Sequence, residues 1–357
     1  MGIVIGILTL GLLYWAVELA CYFILKYSLL APPPLALRWD RSLLDLSRKH
    51  DWGFYSRTAD GQLALAPDRT SRSVVTLKDS GRVVYDVTFD VDEYGLRRTP
   101  GQSGKRSKFA LFLGCSLVLG EGLEGRETIP YFFSRSAPEY RSYNYGLEGS
   151  GPNDILARLQ RTDFRDGIRE RDGIAFYFIF DGHMGRLMGS MSDIGYCAMR
   201  PYFTEDREGR IVRHGTFLSG RPLTTRFYLW AERTQFVRFL RLLSLRQRLG
   251  LPPAGAESDY RFLARVIREI KREYARKMGN QELYVVFPPG MRFSGRLIPF
   301  LEEMQIGYID YSGIDVSKQT RKPAYIEFDG HPSAASNQLI GAKLARDILA
   351  MRKRGRK

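Results

Sequence analysis

The sequence predicts an α/β fold: a mostly parallel sheet covered by helices on both faces, preceded by one transmembrane helix. From Lys108 onward, short apolar runs alternate with helical segments, the order that produces a parallel sheet. The run at 172–182, DGIAFYFIFDG, is apolar enough to be a strand buried on both faces. Residues 3–25 are almost entirely apolar, and about 20 such residues cross the hydrocarbon core of a bilayer.

The N-terminal segment 3–25, IVIGILTLGLLYWAVELACYFIL, is apolar except for Thr9 and Glu18. We interpret residues 1–26 as a single-pass membrane anchor rather than a cleaved signal peptide, because no basic residues precede the long apolar run and no small-x-small cleavage site follows it. An ionisable side chain is costly inside a span, so we expect Glu18 to lie near the interface or to be neutralised.

The anchor leads into residues 27–108, predicted to form a linker and an N-terminal strand region that packs on the body. The stretch 31–40, APPPLALRWD, is a proline-stiffened spacer that cannot continue a helix. Residues 50–80 are polar and predicted to be irregular. Residues 83–91 alternate apolar and polar side chains, which predicts a half-buried strand before a turn at Tyr94-Gly95.

The body, residues 109–350, contains the alternating strands and helices. Each strand is a short apolar run that ends at a turn, and each helix carries apolar residues at helical spacing. The predicted strands are 108–116, 140–146, 172–182 and 282–290, and the predicted helices are 128–138, 152–164 and 260–278.

Residues 184–258 interrupt this alternation and are too long for a simple connection, so we predict an insertion that covers part of the sheet's ligand edge. A basic amphipathic helix is predicted near 227–249. We expect it to pack against the core, with a membrane or an acidic substrate as the alternative contact. Residues 351–357 form a basic tail.

The formal net charge of the 357 residues is +15, which favours anionic partners. The basic residues are spread along the chain, and no zinc-finger, homeodomain or RNP pattern is present, so no nucleic-acid partner is expected. Cys21, Cys115 and Cys197 form no CxxC pair, which indicates neither a disulfide framework nor a zinc site. We predict no metal and no cofactor.

Polar residues follow the predicted strands at their carboxyl ends, where open α/β sheets bind ligands. These groups are Gly114-Cys115-Ser116, Asn144-Tyr145-Gly146 and Asp181-Gly182-His183, and Asp329 and His331 precede the last helix. A serine hydroxyl needs a base to take its proton, and a carboxylate that orients the base completes such a site. The backbone N–H groups of Ser116 and Gly146 are candidates to hold an oxyanion.

These blocks resemble a known family. FLGCSLVLGEGL (112–123), YNYGLEGSGPNDILARL (143–159) and DGHPSAASNQLIGAKLARDI (329–348) are similar, in order and spacing, to the SGNH (GDSL-type) hydrolase superfamily. The resemblance covers residues 109–350 and implies a flavodoxin-like three-layer sandwich. The YGLRR turn at 94–98 is similar to the Gly-x-Arg turn that often precedes the body in membrane-anchored bacterial members. The acid two residues before the histidine resembles the DxH arrangement of polysaccharide O-acetyltransferases.

Carried over to this chain, the resemblance implies Ser116 as nucleophile, His331 as base, Asp329 as its orienting acid and Gly146 as an oxyanion donor. It implies a membrane-anchored esterase, deacetylase or O-acyltransferase that acts on an envelope glycan or lipid through an acyl-serine, without a cofactor. It also implies an extracytoplasmic body. The positive-inside rule favours the opposite side, because basic residues follow the span: Lys26, Arg38, Arg41, Arg48 and Lys49.

Two departures from the family pattern keep alternatives open. Cys115 stands where the family has an aspartate, so the support that the aspartate gives the nucleophile loop is missing. The thiolate of Cys115 is an alternative nucleophile. The segment FDGHMGR (180–186) lacks the oxyanion asparagine, and His183 is the candidate replacement. A catalytically inactive module that binds an acidic polymer or a partner protein is therefore the alternative function.

Candidate substrate contacts are the other strand-end polar residues. Asn144 and Arg186 are predicted to touch the substrate, and Arg97 or Arg98 to bind an anionic acyl acceptor. The oligomeric state is not predicted.

Overall fold

The structure is a computed structural model that describes residues 2–26, residues 46–242 except 51, 59, 60 and 79, and residues 255–354. The predicted spacer at 31–40 lies outside the described residues. The strands are β1 Leu46–His50, β2 Tyr55–Arg57, β3 Leu63–Leu65, β4 Thr70–Leu77, β5 Val83–Asp90, β6 Lys108–Gly114, β7 Tyr140–Gly146, β8 Asp172–Phe178, β9 Pro201–Glu205, β10 Ile211–Thr216, β11 Leu283–Phe287 and β12 Tyr308–Asp310.

The helices alternate with the later strands, as the sequence predicts. They are α1 Gly2–Lys26, α2 Ser116–Leu119, α3 Ile129–Ser136, α4 Pro152–Gln160, α5 Gly182–Met188, α6 Ile194–Cys197, α7 Phe217–Gly220, α8 Pro222–Ala231, α9 Gln235–Leu242, α10 Glu257–Met278, α11 Ser294–Glu303, α12 Val316–Thr320 and α13 Ala334–Arg354.

The central sheet has five strands in the spatial order β12-β11-β8-β6-β7, and all four neighbouring pairs are parallel. If β6, β7, β8, β11 and β12 are numbered 1 to 5 along the chain, the order from the β7 edge is 2-1-3-4-5, which is the order of a doubly wound sheet. In such a sheet the strand order reverses between the first and third strands, here β6 and β8, and ligands bind beyond the carboxyl ends at that point. The predicted flavodoxin-like fold is confirmed.

Helices cover both faces of this sheet and create two apolar layers. On one face, Phe112 of β6 packs with Phe133 of α3 and Leu344 of α13. On the other face, Leu111 of β6 packs in one cluster with residues of α4, α10 and α11, among them Ile267. Strand β6 is therefore buried on both sides, which fixes the position of the turn that follows it.

The N-terminal region contains more strand than the sequence predicts. Residues 50–80 were expected to be irregular, but β1, β4 and β5 form an antiparallel sheet, and β2 pairs with β3. The prediction is wrong because the inward positions of β4 include Ser71 and Ser73, so the strand shows no apolar alternation. Strand β5 matches its prediction, with Tyr85, Val87 and Phe89 buried.

Between β8 and α10 the described residues form helices α5 to α9 and the antiparallel hairpin β9–β10. The single helix predicted near 227–249 is wrong over its described part, because α8 ends at Ala231 and α9 begins at Gln235. The Thr234 hydroxyl donates to the Ala231 carbonyl at 2.7 Å and accepts from the Val237 N–H at 3.3 Å, which separates the two helices. Residues 243–254 lie outside the described part of the chain.

Candidate active site

Ser116 is the first residue of α2, two residues beyond the carboxyl end of β6. The turn is tight because Gly114 and Gly146 are paired across β6 and β7. A Cβ at Gly114 would lie 2.6 Å from Val118 Cγ2, and one at Gly146 would lie 2.1 Å from the Leu119 nitrogen. Only glycine at both positions lets α2 rest on the strand ends and place Ser116 at the switch point of the sheet.

Asp329 and His331 lie on the loop that leads into α13. The Ile326 N–H donates to the His331 carbonyl at 2.8 Å, and the Ser333 hydroxyl accepts from the Ser336 N–H at 3.2 Å. Ser333 therefore caps α13, because its hydroxyl satisfies an N–H that has no acceptor within the helix. The loop is fastened on both sides of His331.

The three side chains form a Ser–His–Asp arrangement. His331 Nε2 lies 2.8 Å from Ser116 Oγ, and His331 Nδ1 is hydrogen-bonded to Asp329 Oδ1. All three residues are buried, with 8%, 7% and 4% of Ser116, His331 and Asp329 exposed. An ionised Asp329 only accepts hydrogen bonds, so Nδ1 carries the proton and Nε2 accepts the proton of the Ser116 hydroxyl. This is the geometry in which a histidine activates a serine.

Cys115 does not compete with Ser116 for the histidine. Cys115 is only 1% exposed, and His331 Nε2, the nitrogen that faces the turn, is hydrogen-bonded to the Ser116 hydroxyl. The thiol behaves as a small buried apolar group. The geometry therefore favours an oxygen nucleophile.

The structure contradicts two predicted roles at the end of β7. The Gly146 N–H donates to Asn144 Oδ1 at 2.9 Å, so Gly146 has no free N–H for an oxyanion. The Asn144 amide donates to the Val118 carbonyl at 2.9 Å, and its residue is 2% exposed, so it does not reach a substrate. Together they fasten β7 to α2. The Ser116 N–H has no acceptor within the helix, because Ser116 opens α2.

The structure also contradicts the prediction of His183 as an oxyanion donor. The imidazole is fully buried, and its Nδ1 lies 3.0 Å from the Tyr177 hydroxyl. Burial, and secondarily the charge of Arg186, lower the pKa of His183 well below its usual 6.5, so the ring is neutral. In the described part of the chain His183 Nε2 has no hydrogen-bond partner and is itself buried, so it does not reach a bound ester.

Arg186 supports a loop beside the site. Its Nη1 donates to the Ser150 carbonyl at 2.9 Å, and the Ser150 hydroxyl donates to the Gly114 carbonyl, also at 2.9 Å. The guanidinium lies over the rings of Phe180 and Tyr196. Arg186 therefore connects the insertion to the strand end that precedes Ser116, and its contact with a substrate stays a prediction.

Arg97 is the functional residue that the sequence analysis misplaced. It is 2% exposed, and its guanidinium donates to the carbonyls of Leu119 at 2.6 Å, Gly120 at 2.7 Å and Leu123. The guanidinium also lies 4.2 Å from the centre of the Phe89 ring. Burial lowers the pKa of Arg97 to about 10, so it keeps its charge at neutral pH. The predicted role in binding an acyl acceptor is wrong, because Arg97 holds the loop after α2.

The N-terminal strands touch both loops that flank the triad. The Tyr85 hydroxyl donates to Glu121 Oε1 at 2.9 Å, in the loop after α2, and the Tyr55 hydroxyl donates to Glu148, in the loop after β7. The region before residue 108 is therefore part of the framework of the site. Across the described ranges, no group of three or more His, Cys, Asp or Glu residues is placed to hold a metal ion.

No protein-family model matches the chain, and no curated protein matches it. A lipolytic protein of the G-D-S-L family from Desulfitobacterium hafniense DCB-2 is similar in structure, at 12% identity and a TM-score of 0.34, over 67% of this chain and 98% of that one. The SGNH-hydrolase family esterase AlinE4 is similar at 16% identity and a TM-score of 0.34, over 70% and 98%.

A third similar structure is the lipase/acylhydrolase from Enterococcus faecalis, at 11% identity and a TM-score of 0.34, over 68% of this chain and 95% of that one. The structural neighbours of this chain are thus SGNH and GDSL-family esterases and lipolytic proteins, the group that its sequence resembles.

Proposed function

We propose that this protein is a serine ester hydrolase or O-acyltransferase that works through an acyl-serine at Ser116. The observation that carries the proposal is the arrangement of Ser116, His331 and Asp329, with Nε2 at 2.8 Å from Oγ and the carboxylate on Nδ1. Ser116 and His331 are 215 residues apart in the chain, and capping or packing alone does not require this alignment. The alignment favours an enzyme over the inactive binding module.

In the proposed mechanism Ser116 Oγ attacks the ester carbonyl while His331 Nε2 takes its proton. Asp329 holds the imidazole in the required tautomer and stabilises the imidazolium. The Ser116 N–H, at the start of α2, is placed to donate to the oxyanion. His331 then returns the proton to the leaving alcohol as the C–O bond breaks. Water or a second hydroxyl, deprotonated by His331, attacks the acyl-serine and restores the serine.

A covalent probe tests the proposal. We expect the detergent-solubilised full chain to form an adduct with a fluorophosphonate on Ser116, located by peptide mass spectrometry. The adduct disappears in Ser116→Ala and is slowed in His331→Ala. The exposed Ser317→Ala and His214→Ala variants are matched controls that keep full labelling. An adduct on Cys115, or none in the folded protein, would contradict the assignment, and the second outcome would favour the binding module.

We further propose that α1 anchors the enzyme in a membrane and that the ester belongs to an envelope glycan or lipid. Supporting the anchor, the 19 residues Leu8–Lys26 are long and apolar enough to cross a bilayer, and very few of them are buried in the protein. Supporting the substrate class, the proposed acyl acceptor is a hydroxyl or water, and the anchor would keep the site close to a membrane-bound layer.

The side of the membrane is tested by proteolysis. We propose an extracytoplasmic body, in line with the family resemblance, so protease added to spheroplasts is expected to cleave it while a cytoplasmic marker protein stays intact. Protection of the body until detergent is added would place it in the cytoplasm, as the basic residues after the span favour.

A further inference from the structure

Helix α8 carries an apolar stripe that is largely exposed among the residues that the structure describes. Leu223, Phe227 and Trp230 are spaced i, i+4, i+7, so they lie on one face of the helix, and they are 82%, 54% and 55% exposed. The opposite face packs inward, where Tyr228 and Leu229 contact the cluster of Ile194, Cys197 and Phe217. Helix α8 therefore carries apolar side chains on its outward face as well as on its inward face, whereas a helix that packs only on the protein core has a polar outward face.

The stripe is continuous with the predicted anchor. The ring of Trp230 stacks on that of Tyr14 in α1, with centroids 6.5 Å apart, and also contacts Phe227 at 5.8 Å. The surface of α1 beside this contact is apolar and exposed, for example at Leu10 and Trp15, which are 68% and 70% exposed. One apolar surface thus runs from α1 onto α8.

Glu18 joins the same elements. Its carboxylate accepts the N–H of Gln235 at 2.7 Å and of Phe236 at 3.0 Å, the first two residues of α9, and only 9% of Glu18 is exposed. A carboxylate is favourable at this end of a helix because it pairs with free N–H groups and with the positive end of the helix dipole. This answers why an otherwise apolar span contains a glutamate, and it fixes the insertion to α1.

The depth of the contact follows from helix geometry. Glu18 is eight residues before Lys26, so the two lie about 12 Å apart along α1 at about 1.5 Å per residue. Half of a hydrocarbon core is about 15 Å. With Lys26 at the interface on the side of the body, Glu18 lies within the half of the bilayer nearer to that side, and Tyr14, about 18 Å from Lys26, lies close to the midplane.

We propose that α8 and α9 enter the membrane leaflet nearest the body, with Leu223, Phe227 and Trp230 in contact with lipid. The inference rests on the proposed anchoring by α1 and is independent of the esterase chemistry. Lipid is the occupant that the structure favours, because the stripe continues the apolar surface of α1. Arg226, Arg233 and Arg238 around it are exposed, and their long side chains can extend towards the headgroups.

This placement orients the catalytic domain. The insertion touches the loop beside Ser116 through Arg186 and also through Arg200, whose guanidinium donates to the Glu148 carbonyl at 2.9 Å. An insertion held in the leaflet would therefore keep the mouth of the site near the membrane surface. The substrate class that this geometry suits is an ester on a lipid or on a glycan carried by a lipid.

Spin-label accessibility tests the proposal. The full chain is reconstituted in nanodiscs of phosphatidylcholine and phosphatidylglycerol, and a nitroxide is attached to Leu223→Cys or Phe227→Cys. Leu12→Cys on α1 and Lys318→Cys on the body, where the native side chains are 73% and 84% exposed, are the lipid and water controls. The three native cysteines are buried, so the unsubstituted protein gives the labelling background.

We expect the ratio of collisions with oxygen to collisions with a water-soluble nickel chelate to be high at positions 223 and 227, as at position 12, and low at 318. A low ratio at 223 and 227 with a high one at 12 would show that α8 does not enter the membrane, while α1 still does. Labels at 223 and 227 that neither reagent reaches would also overturn it, since a second protein copy or partner would cover the stripe. A low ratio at 12 would overturn the anchor and the inference together.

Discussion

Ser116→Ala is expected to lower kcat for an aryl acetate by about 10⁴- to 10⁶-fold while the protein remains folded, because the hydroxyl is the proposed nucleophile. The substitution removes a single oxygen whose partner is His331 Nε2. The residual rate would come from groups such as the Ser116 N–H that hold the oxyanion. Single-turnover kinetics, with the denaturation midpoint measured on the same samples, checks both parts of the expectation.

A double variant makes this prediction sharper. Residues that act as one unit have effects on kcat that are far from additive. Ser116→Ala combined with His331→Ala is therefore expected to lose no more activity than either single variant. Multiplicative losses would show that the two side chains act independently, which contradicts a serine–histidine pair. His214→Ala, which removes an exposed histidine on β10, should leave kcat unchanged.

The central sheet could be predicted from the sequence because each of its strands is an apolar run between turn residues. Strand β8 is buried along nearly its whole length, so its composition alone identifies it. Strand β4 could not be found in this way, because polar residues occupy several of its inward positions. Ser71 and Ser73 line a small cavity together with Phe89 and Glu121, an arrangement that no local pattern reveals.

The same distinction applies to the candidate site. Ser116, Asp329 and His331 were predictable because they stand in short sequence blocks. The order and spacing of these blocks along the chain resemble those of a known family. Gly146 was predicted to donate to an oxyanion and Asn144 to contact the substrate, yet the Gly146 N–H donates to Asn144 and the Asn144 amide donates to α2. A strand-end position shows that a residue lies near a site, but a local hydrogen bond decides whether its N–H is free.

Glu18 shows how far the outcome depends on tertiary contacts. The sequence predicted an interfacial or neutralised carboxylate, and the structure pairs it instead with the N–H groups that open α9, 217 and 218 residues away. The cost of a carboxylate in an apolar helix was correctly recognised. Its partner could not be predicted, because nothing in the sequence of residues 3–25 indicates a contact with α9, which lies in the insertion at 184–258.

Arg97→Met is expected to destabilise the protein by about 3 kcal/mol or more and to lower kcat as well. Methionine fills a similar volume but leaves the carbonyls of Leu119, Gly120 and Leu123 without their donor. Each buried carbonyl that loses its hydrogen bond costs about 1 kcal/mol or more. The contact of the guanidinium with the Phe89 ring is lost in addition. Urea denaturation of the full chain in detergent measures the first effect.

The neighbouring arginine provides the matched control. Arg98 is half exposed and lies 3.5 Å from each of three exposed acids, Asp68, Asp90 and Glu93. Exposed ion pairs contribute little, so Arg98→Met should change the free energy of unfolding by less than about 1 kcal/mol and leave kcat unchanged. Equal effects of the two substitutions would show that general charge, rather than the fastening of the loop, is what matters.

The kinetic part separates positioning from simple stability. Because Arg97 holds the loop that follows α2, its loss frees Ser116 to move relative to His331, and a misplaced nucleophile lowers the rate even in folded protein. At a temperature where Arg97→Met is fully folded, kcat and the rate of fluorophosphonate labelling at Ser116 should therefore fall together. Arg97→Lys retains one cationic donor and should recover part of both. Unchanged labelling in folded Arg97→Met would reduce Arg97 to a purely structural residue.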